Sequence, residues 1–255
     1  MIDITVLTFN RKRITETMLR ELEARTTTPH RIVVVDNGST DGTRDLVRKL
    51  YIEGLIDEVY PNDENWGTHW GRNRLLDLVE SDLFVSTDDD IVPESPRDGS
   101  DWLEKLVELM LDRPKLAAVA CRPHVMIGDS VAKMFANAPA VKKRGHVGGA
   151  LRLMRTDAVR EVGGWLNVKR PERDNEEKYI CGKLRRAGYW VGYARDVRCI
   201  ALWGDDDEGE DPWGYPAEMG GPTAHGHREV WPPVNRFTWE NYNLDWETCR
   251  PKGTE

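Results

Sequence analysis

No two cysteines in this chain stand as a CxxC pair. Cys121, Cys181, Cys199 and Cys249 are scattered, which excludes a zinc-finger spacing and a dense disulfide framework and implies reduced thiols in a cytoplasmic protein. No stretch approaches the roughly 20 apolar residues that span a bilayer, and Asp3 interrupts the N-terminal apolar segment, so neither an integral membrane segment nor a signal peptide is expected. No G-x-G-x-x-G follows the first strand and no G-x-x-x-x-G-K-[ST] occurs, which sets aside a Rossmann dehydrogenase and a P-loop enzyme. Basic charge is not in excess either. Lys and Arg number 36 against 44 Asp and Glu, a net charge of -8, which gives no general field for nucleic acid or anionic lipid but leaves room for a local basic groove. Internal repeats and low-complexity linkers are also missing.

What is present is an ordinary globular composition, 39% hydrophobic and 31% charged over 255 residues, enough for one large α/β domain or two closely packed halves. The opening run Ile2-Asp3-Ile4-Thr5-Val6-Leu7-Thr8-Phe9 predicts a strand, followed after a polar turn by a helix over about 15–25. Arg31 to Val35 predicts a second strand, ending in Asp36-Asn37-Gly38-Ser39-Thr40-Asp41-Gly42-Thr43, with a helix starting ahead of Leu46, Val47 and Leu50. A short strand near 58–60, a helix from Thr68 or His69 to Val79 and a strand from Leu83 complete four alternations in about 90 residues, the pattern of a mostly parallel, doubly wound sheet. Further on, helices are expected over about 101–111, 156–162 and 175–187, and strands over about 116–121, 150–154 and 190–194. Between Met126 and Gly149 the pattern weakens, and Lys142-Lys143-Arg144-Gly145-His146 forms a basic spot.

The strand at Leu83 ends in Asp88-Asp89-Asp90. Three adjacent carboxylates cannot be buried unless cations or donors meet them, so they belong at the C-terminal end of the strand, where open α/β sheets collect ligands. Hard oxygen donors there suit Mg²⁺ or Mn²⁺, the bland alternative being a solvated acidic turn. Asp36, Asn65 and Asp88 close three successive strands, and right-handed crossovers would bring these ends to one sheet edge. Asp36 and Asp41 could equally be helix caps, and Arg72 could pair with a neighbouring carboxylate. The run Asp205 to Asp211 reads as solvated charge, and the Trp, Pro and Gly-rich segment after it as an irregular tail packed on the core.

In order and spacing, these stretches resemble the family 2 glycosyltransferases of the GT-A fold. Thr5 to Arg11 is similar to the family's opening strand, Val35 to Thr43 to its D-(D/N)-G-S-x-D-G-T signature, Asn65-Trp66-Gly67 with Gly71-Arg72-Asn73 to its N-x-G and R-N segment, and Asp88-Asp89-Asp90 to its DXD motif. Gly148-Gly149, Glu161-Val162-Gly163-Gly164-Trp165 and the helix ending Arg186-Ala187-Gly188-Tyr189 resemble the acceptor half. The likeness covers about 2–195. It implies one GT-A domain over 1–204, a Rossmann-like, mostly parallel α/β sheet flanked by helices, with a nucleotide-sugar half over 1–92, an acceptor half over 93–204 and an irregular extension over 205–255.

The resemblance further implies a sugar moved from a nucleoside-diphosphate sugar to an acceptor hydroxyl, with Mn²⁺ or Mg²⁺ neutralising the leaving diphosphate. Asp36 would recognise the base, Thr8 would line the same pocket with Asn10 and Asn65 nearby, Arg72 would contact base or diphosphate, and Asp88 or Asp89 would hold the ribose. Asp90 is the preferred metal ligand, with Asp88 a second. An inverting enzyme needs a carboxylate base. The family's Glu-Asp pair falls on Glu176-Glu177, and since the second position is Glu rather than Asp, Asp174 and Glu176 stand as alternatives to Glu177. No histidine follows the last core strand in Ile200 to Gly204, where many GT-A enzymes carry a metal ligand, though His225 or His227 could fold back to serve. A sugar-phosphate nucleotidyltransferase and a non-catalytic nucleotide or sugar-binding module are the competing readings. The acceptor is open among polysaccharide, protein, small molecule and hydroxylated bases in DNA, the last kept in view by the basic spot.

Overall fold

A computed structural model describes residues 1–94, 96, 99–123, 139–168 and 175–202. The first part alternates strand and helix: β1 (Ile2–Thr8), α1 (Lys12–Ala24), β2 (His30–Asp36), α2 (Thr43–Ile52), β3 (Glu58–Pro61), α3 (Thr68–Leu78) and β4 (Leu83–Asp88). Then come β5 (Ile91–Pro93), α4 (Trp102–Leu111), β6 (Leu116–Pro123), β7 (Val141–Lys143), β8 (Arg152–Arg155), α5 (Thr156–Glu161), α6 (Glu176–Arg186) and β9 (Trp190–Ala201).

These strands form one sheet of order β3-β2-β1-β4-β8-β6-β9-β5, with β7 paired to β9. The first half, β3-β2-β1-β4, is parallel throughout. The second half is mixed, because β8 runs antiparallel to both β4 and β6 while β9 returns parallel to β6. Strand parity explains why β1 and β2 read as nearly continuous apolar runs. Ile4, Val6, Ile32 and Val34 pack towards α1, α2 and α4, whereas Leu7, Val33 and Val35 pack on Leu75 of α3. A parallel sheet covered on both faces requires that pattern. On the second face, α5 and α6 bury Ala158, Val159, Ile180, Cys181 and Leu184 against β6 and β8.

Asp3 lies 3% exposed amid this core. Arg31 Nε reaches it at 2.8 Å, and the Glu80 and Ser81 backbone N–H groups donate to it at 2.7 and 3.0 Å, so burial is offset by charge and hydrogen bonds. Three features lie beyond the sequence expectations. β5 and β7 are short strands added to β9, and β9 itself continues to Ala201. Pairing with β5 on one side and β6 on the other carries β9 past Ala194, a tertiary effect that periodicity does not contain. Pro93, which cannot donate to a ladder, is tolerated as the last residue of an edge strand.

Candidate active site

Register assembles the site. Thr8 pairs with Asp36 on β2 and Leu7 with Asp88 on β4, so these strand ends share one edge, with neighbouring strands about 4.8 Å apart. The β3–α3 loop joins them: Asn37 Nδ2 donates to Asn65 Oδ1 at 2.9 Å, and Asn62 Nδ2 to Asn37 Oδ1 at 2.9 Å. Gly38, at φ +87°, approaches the same loop so closely that a Cβ would fall 2.3 Å from the Glu64 carbonyl carbon. Only glycine fits there. Asn10, at φ 49°, donates its N–H to Ser39 Oγ at 2.9 Å and accepts from Thr40 N at 2.7 Å, which ties the β1–α1 loop to the β2–α2 loop.

Asp36 is fully buried. Its Oδ1 accepts from Ser39 N at 3.1 Å and its Oδ2 from Arg44 Nε at 2.9 Å. Both carboxylate oxygens are thus engaged by the protein, and Arg44, with a side chain 35% exposed, is the charge presented at this end of the edge.

The aspartate triplet divides by exposure. Asp88 keeps 44% of its side chain exposed, whereas the Asp90 side chain keeps 5%. Arg11 Nη1 bridges the buried pair, 3.0 Å from Asp89 Oδ1 and 2.9 Å from Asp90 Oδ2, and Thr8 Oγ1 donates to Asp89 Oδ2 at 2.7 Å. Burial raises the Asp90 carboxyl to about 7; Arg11 opposes the rise while Asp89 and Asp88 add to it. Arg72, 1% exposed, donates to Asp88 Oδ1 and, at 2.5 Å, to the Thr87 carbonyl. The Gly149 backbone passes beside the other oxygen, where a Cβ would lie 2.8 Å from Asp88 Oδ2.

The two acids at the start of α6 also separate. Glu176 is 5% exposed. Arg152 Nη2 lies 3.3 Å from its Oε2, the Trp165 indole N–H donates to the same oxygen at 2.5 Å, and Arg72 Nε stands 3.7 Å from Oε1. Burial alone would raise this carboxyl, but Arg152, Arg72 and Trp165 together hold it below the usual range. Glu177 is half-buried and receives no side-chain hydrogen bond among the described residues. Burial raises it to about 7, reinforced by Glu176 and Asp88.

Around the edge, the carboxylates of Asp88, Asp89, Asp90, Glu176 and Glu177 thus face the guanidinium groups of Arg11, Arg72 and Arg152. The uncompensated negative charge and the hard oxygen donors fit a divalent cation. No group of three His, Cys, Asp or Glu side chains forms a ready cage among the described residues. Mg²⁺-type sites are usually built from one or two carboxylates plus substrate phosphates, so this arrangement is compatible with such a site. Asp174, His225 and His227 lie outside the described residues.

Arg44 and Arg152 lie outside the motifs read from the sequence, and Arg11 and Trp165 stand inside them with no role assigned. Arg152 did leave a signal: an arginine between Leu151 and Leu153 in an apolar strand has to be buried with a partner.

A mixed α/β sheet of this order, with carboxylates gathered on one edge, is the architecture of a GT-A glycosyltransferase. Residues 3–163 match the family described as glycosyl transferase family 2, and the chain belongs to that family. Among solved structures, a mannosyltransferase from Pyrobaculum calidifontis in complex with GDP-Man and Mn²⁺ superposes with TM-score 0.66 at 20% identity, over 97% of this chain and 71% of that one. S. aureus TarS 1-349 in complex with UDP-GlcNAc gives 0.60 at 16% identity, over 84% and 61%. GalNAc-T7 with UDP, GalNAc and Mn²⁺ gives 0.64 at 13%, over 96% and 49%. At these identities the likeness is one of fold, and the chain spans about half to three fifths of the length of the last two. No curated protein matches the chain. No helix among the described residues is long and apolar enough to cross a membrane.

Proposed function

We propose that this glycosyltransferase moves a sugar from a nucleoside-diphosphate sugar to an acceptor hydroxyl with inversion, and that Glu177 is the base. The observation that carries the reading is the division of labour in the acidic pair. Glu176 is held by Arg152, Arg72 and Trp165, while Glu177 has no such partner and its carboxyl is raised to about 7, a value suited to taking a proton near neutral pH. Asp174 is the remaining alternative from the sequence. Glu177 removes the acceptor proton, the acceptor oxygen forms its bond to the anomeric carbon, and the bond from that carbon to the diphosphate breaks on the opposite face. Inversion follows from the single displacement.

On the donor side, Arg44 and the Asn37–Asn65 loop receive the nucleotide, and Arg72 fixes Asp88 at the diphosphate end. A divalent cation would be held by Asp88, with Asp90 and Asp89 behind it; when bound it neutralises charge on the departing diphosphate. Asp88 is preferred for the direct contact over the Asp90 expected from sequence, a reading supported by the burial of Asp90 and its pairing to Arg11. Mn²⁺ in two of the similar structures supports a metal requirement. Cys121, Cys181 and Cys199 are buried free thiols, which supports a reducing, cytoplasmic location.

The test is nucleoside-diphosphate release from a panel that includes GDP-Man and UDP-GlcNAc, with and without Mn²⁺, followed by determination of the product's anomeric configuration. Turnover without added metal in the presence of chelator counts against metal dependence. A retained configuration removes the base assignment.

A further inference from the structure

Two adjoining surface hollows of about 430 and 410 Å³ lie where β7, β9 and the end of α6 meet, and Lys143 and Trp190 line both. Arg144, His146 and Arg185 line the first and Arg113 the second. Among the described residues no carboxylate lines either hollow, in a chain with 44 acidic and 36 basic residues. Trp190 is 38% exposed, with Lys143 Nζ 2.9 Å from its ring centroid. The basic ground continues towards the site. Burial, then Lys178 and Arg144, lower the His146 pKa, so positive charge flanks His146 from α6 as well as from its own segment. The segment after His146 runs directly to Gly149 at Asp88. Arg185, eight positions after Glu177 on α6, lies about 12 Å along the helix axis.

We propose that this surface is where a single-stranded nucleic acid docks as the acceptor, with phosphates on Lys143, Arg144 and Arg185 and a base stacked on Trp190. Cations beside an exposed indole are the combination that holds single strands. The cations are too few for the six to ten phosphate contacts typical of a duplex-binding protein, and two hollows sharing one aromatic wall suit a chain threaded past it. The proposal rests on acceptors entering beside Glu177.

The test is fluorescence anisotropy with the full chain and a labelled 12-nucleotide single strand, without donor. With three phosphate contacts, affinity should fall roughly 20-fold between 50 and 200 mM salt, and only roughly threefold in Lys143→Glu/Arg185→Glu. Trp190→Ala should weaken binding roughly 10-fold or more, with recovery in Trp190→Phe. The control Arg48→Glu/Lys49→Glu, which makes the same charge change on exposed positions of α2, should bind as wild type, and thermal melting should find every variant folded. No binding at 50 mM salt, equal loss in the control, unchanged binding by Lys143→Glu/Arg185→Glu, or tighter binding of polyglycerol phosphate than of the oligonucleotide would each overturn the proposal. Nucleoside-diphosphate release by the wild-type protein, measured in parallel, reports on the transferase reading independently.

Discussion

Glu177→Gln should make the protein more stable and nearly inactive, and the two effects should share one pH dependence. The carboxyl lies at about 7 in the folded chain against 4.5 for an ordinary glutamate. Below pH 4.5 both states hold the proton and the residue costs nothing. Between 4.5 and 7 the unfolded chain ionises while the folded chain stays protonated, so wild-type stability falls as pH rises. Above 7 the full penalty applies, on the order of 3 kcal/mol. The glutamine variant escapes it, so its melting temperature should exceed wild type by roughly 6 to 12 °C at pH 8 and match it at pH 4.5. Removing a general base should also lower kcat by roughly 10²- to 10⁴-fold. In wild type, kcat/KM should rise tenfold per pH unit up to about 7 and then level, whereas the variant should lack that inflection. The assays are calorimetric melts across pH and nucleoside-diphosphate release with a saturating donor. If Glu177→Gln keeps activity within threefold of wild type, or melts lower at pH 8, the assignment of Glu177 is wrong.

Glu176→Ala should act through stability instead, costing about 3–5 kcal/mol in denaturant titration because Arg152 is left buried without its counter-charge. Arg152→Met combined with Glu176→Leu should recover most of that loss. Asp88→Asn should weaken Mn²⁺ activation by a larger factor than Asp90→Asn, read as the metal concentration for half-maximal rate; the reverse order would return the direct contact to Asp90. Gly149→Ala, whose Cβ would lie 2.8 Å from Asp88 Oδ2, should lower kcat/KM by up to roughly 100-fold through displacement of that carboxylate, with the thermal melt showing a folded protein.

The parallel half of the fold was legible because β1, β2 and β4 announce themselves locally: apolar runs such as Ile32 to Val35 end in polar clusters, and a sheet buried on both faces leaves them no other place. The aspartate triplet could be located for the same reason. Its internal division could not. Asp88 and Asp90 are identical in sequence, and only Arg11, whose Nη1 sits 2.9 Å from Asp90, decides which carboxylate faces the cleft. A guanidinium in a sequence reads as surface by default, so its role as an internal counter-ion emerges only when β1 and β4 are laid side by side. β7 and the extension of β9 were missed for a related reason, since Lys142-Lys143 carries no apolar alternation and takes strand form only because Lys142 pairs with Tyr193 of β9.

The acidic pair at 176 and 177 shows why sequence could name two residues and not rank them. Asp88, Arg72, Glu176 and Arg152 form a row of alternating charges running from β4 through α3 and α6 to β8. Arg72 and Arg152 are at most 1% exposed and Glu176 is 5% exposed, so each is tolerated only because its neighbours in the row compensate it. Taking Glu176 as an interior member of that row removes it from proton transfer and gives it a different use. Its charge restrains Arg72, which grips Asp88, and the same charge helps raise the Glu177 carboxyl to about 7. Under the proposed function, a buried anion that orients Arg72 and tunes Glu177 couples the two halves of the reaction. Exchanging the two glutamates' roles would break both, because a base bound by two arginines and an indole N–H would be too weak to accept a proton near neutral pH.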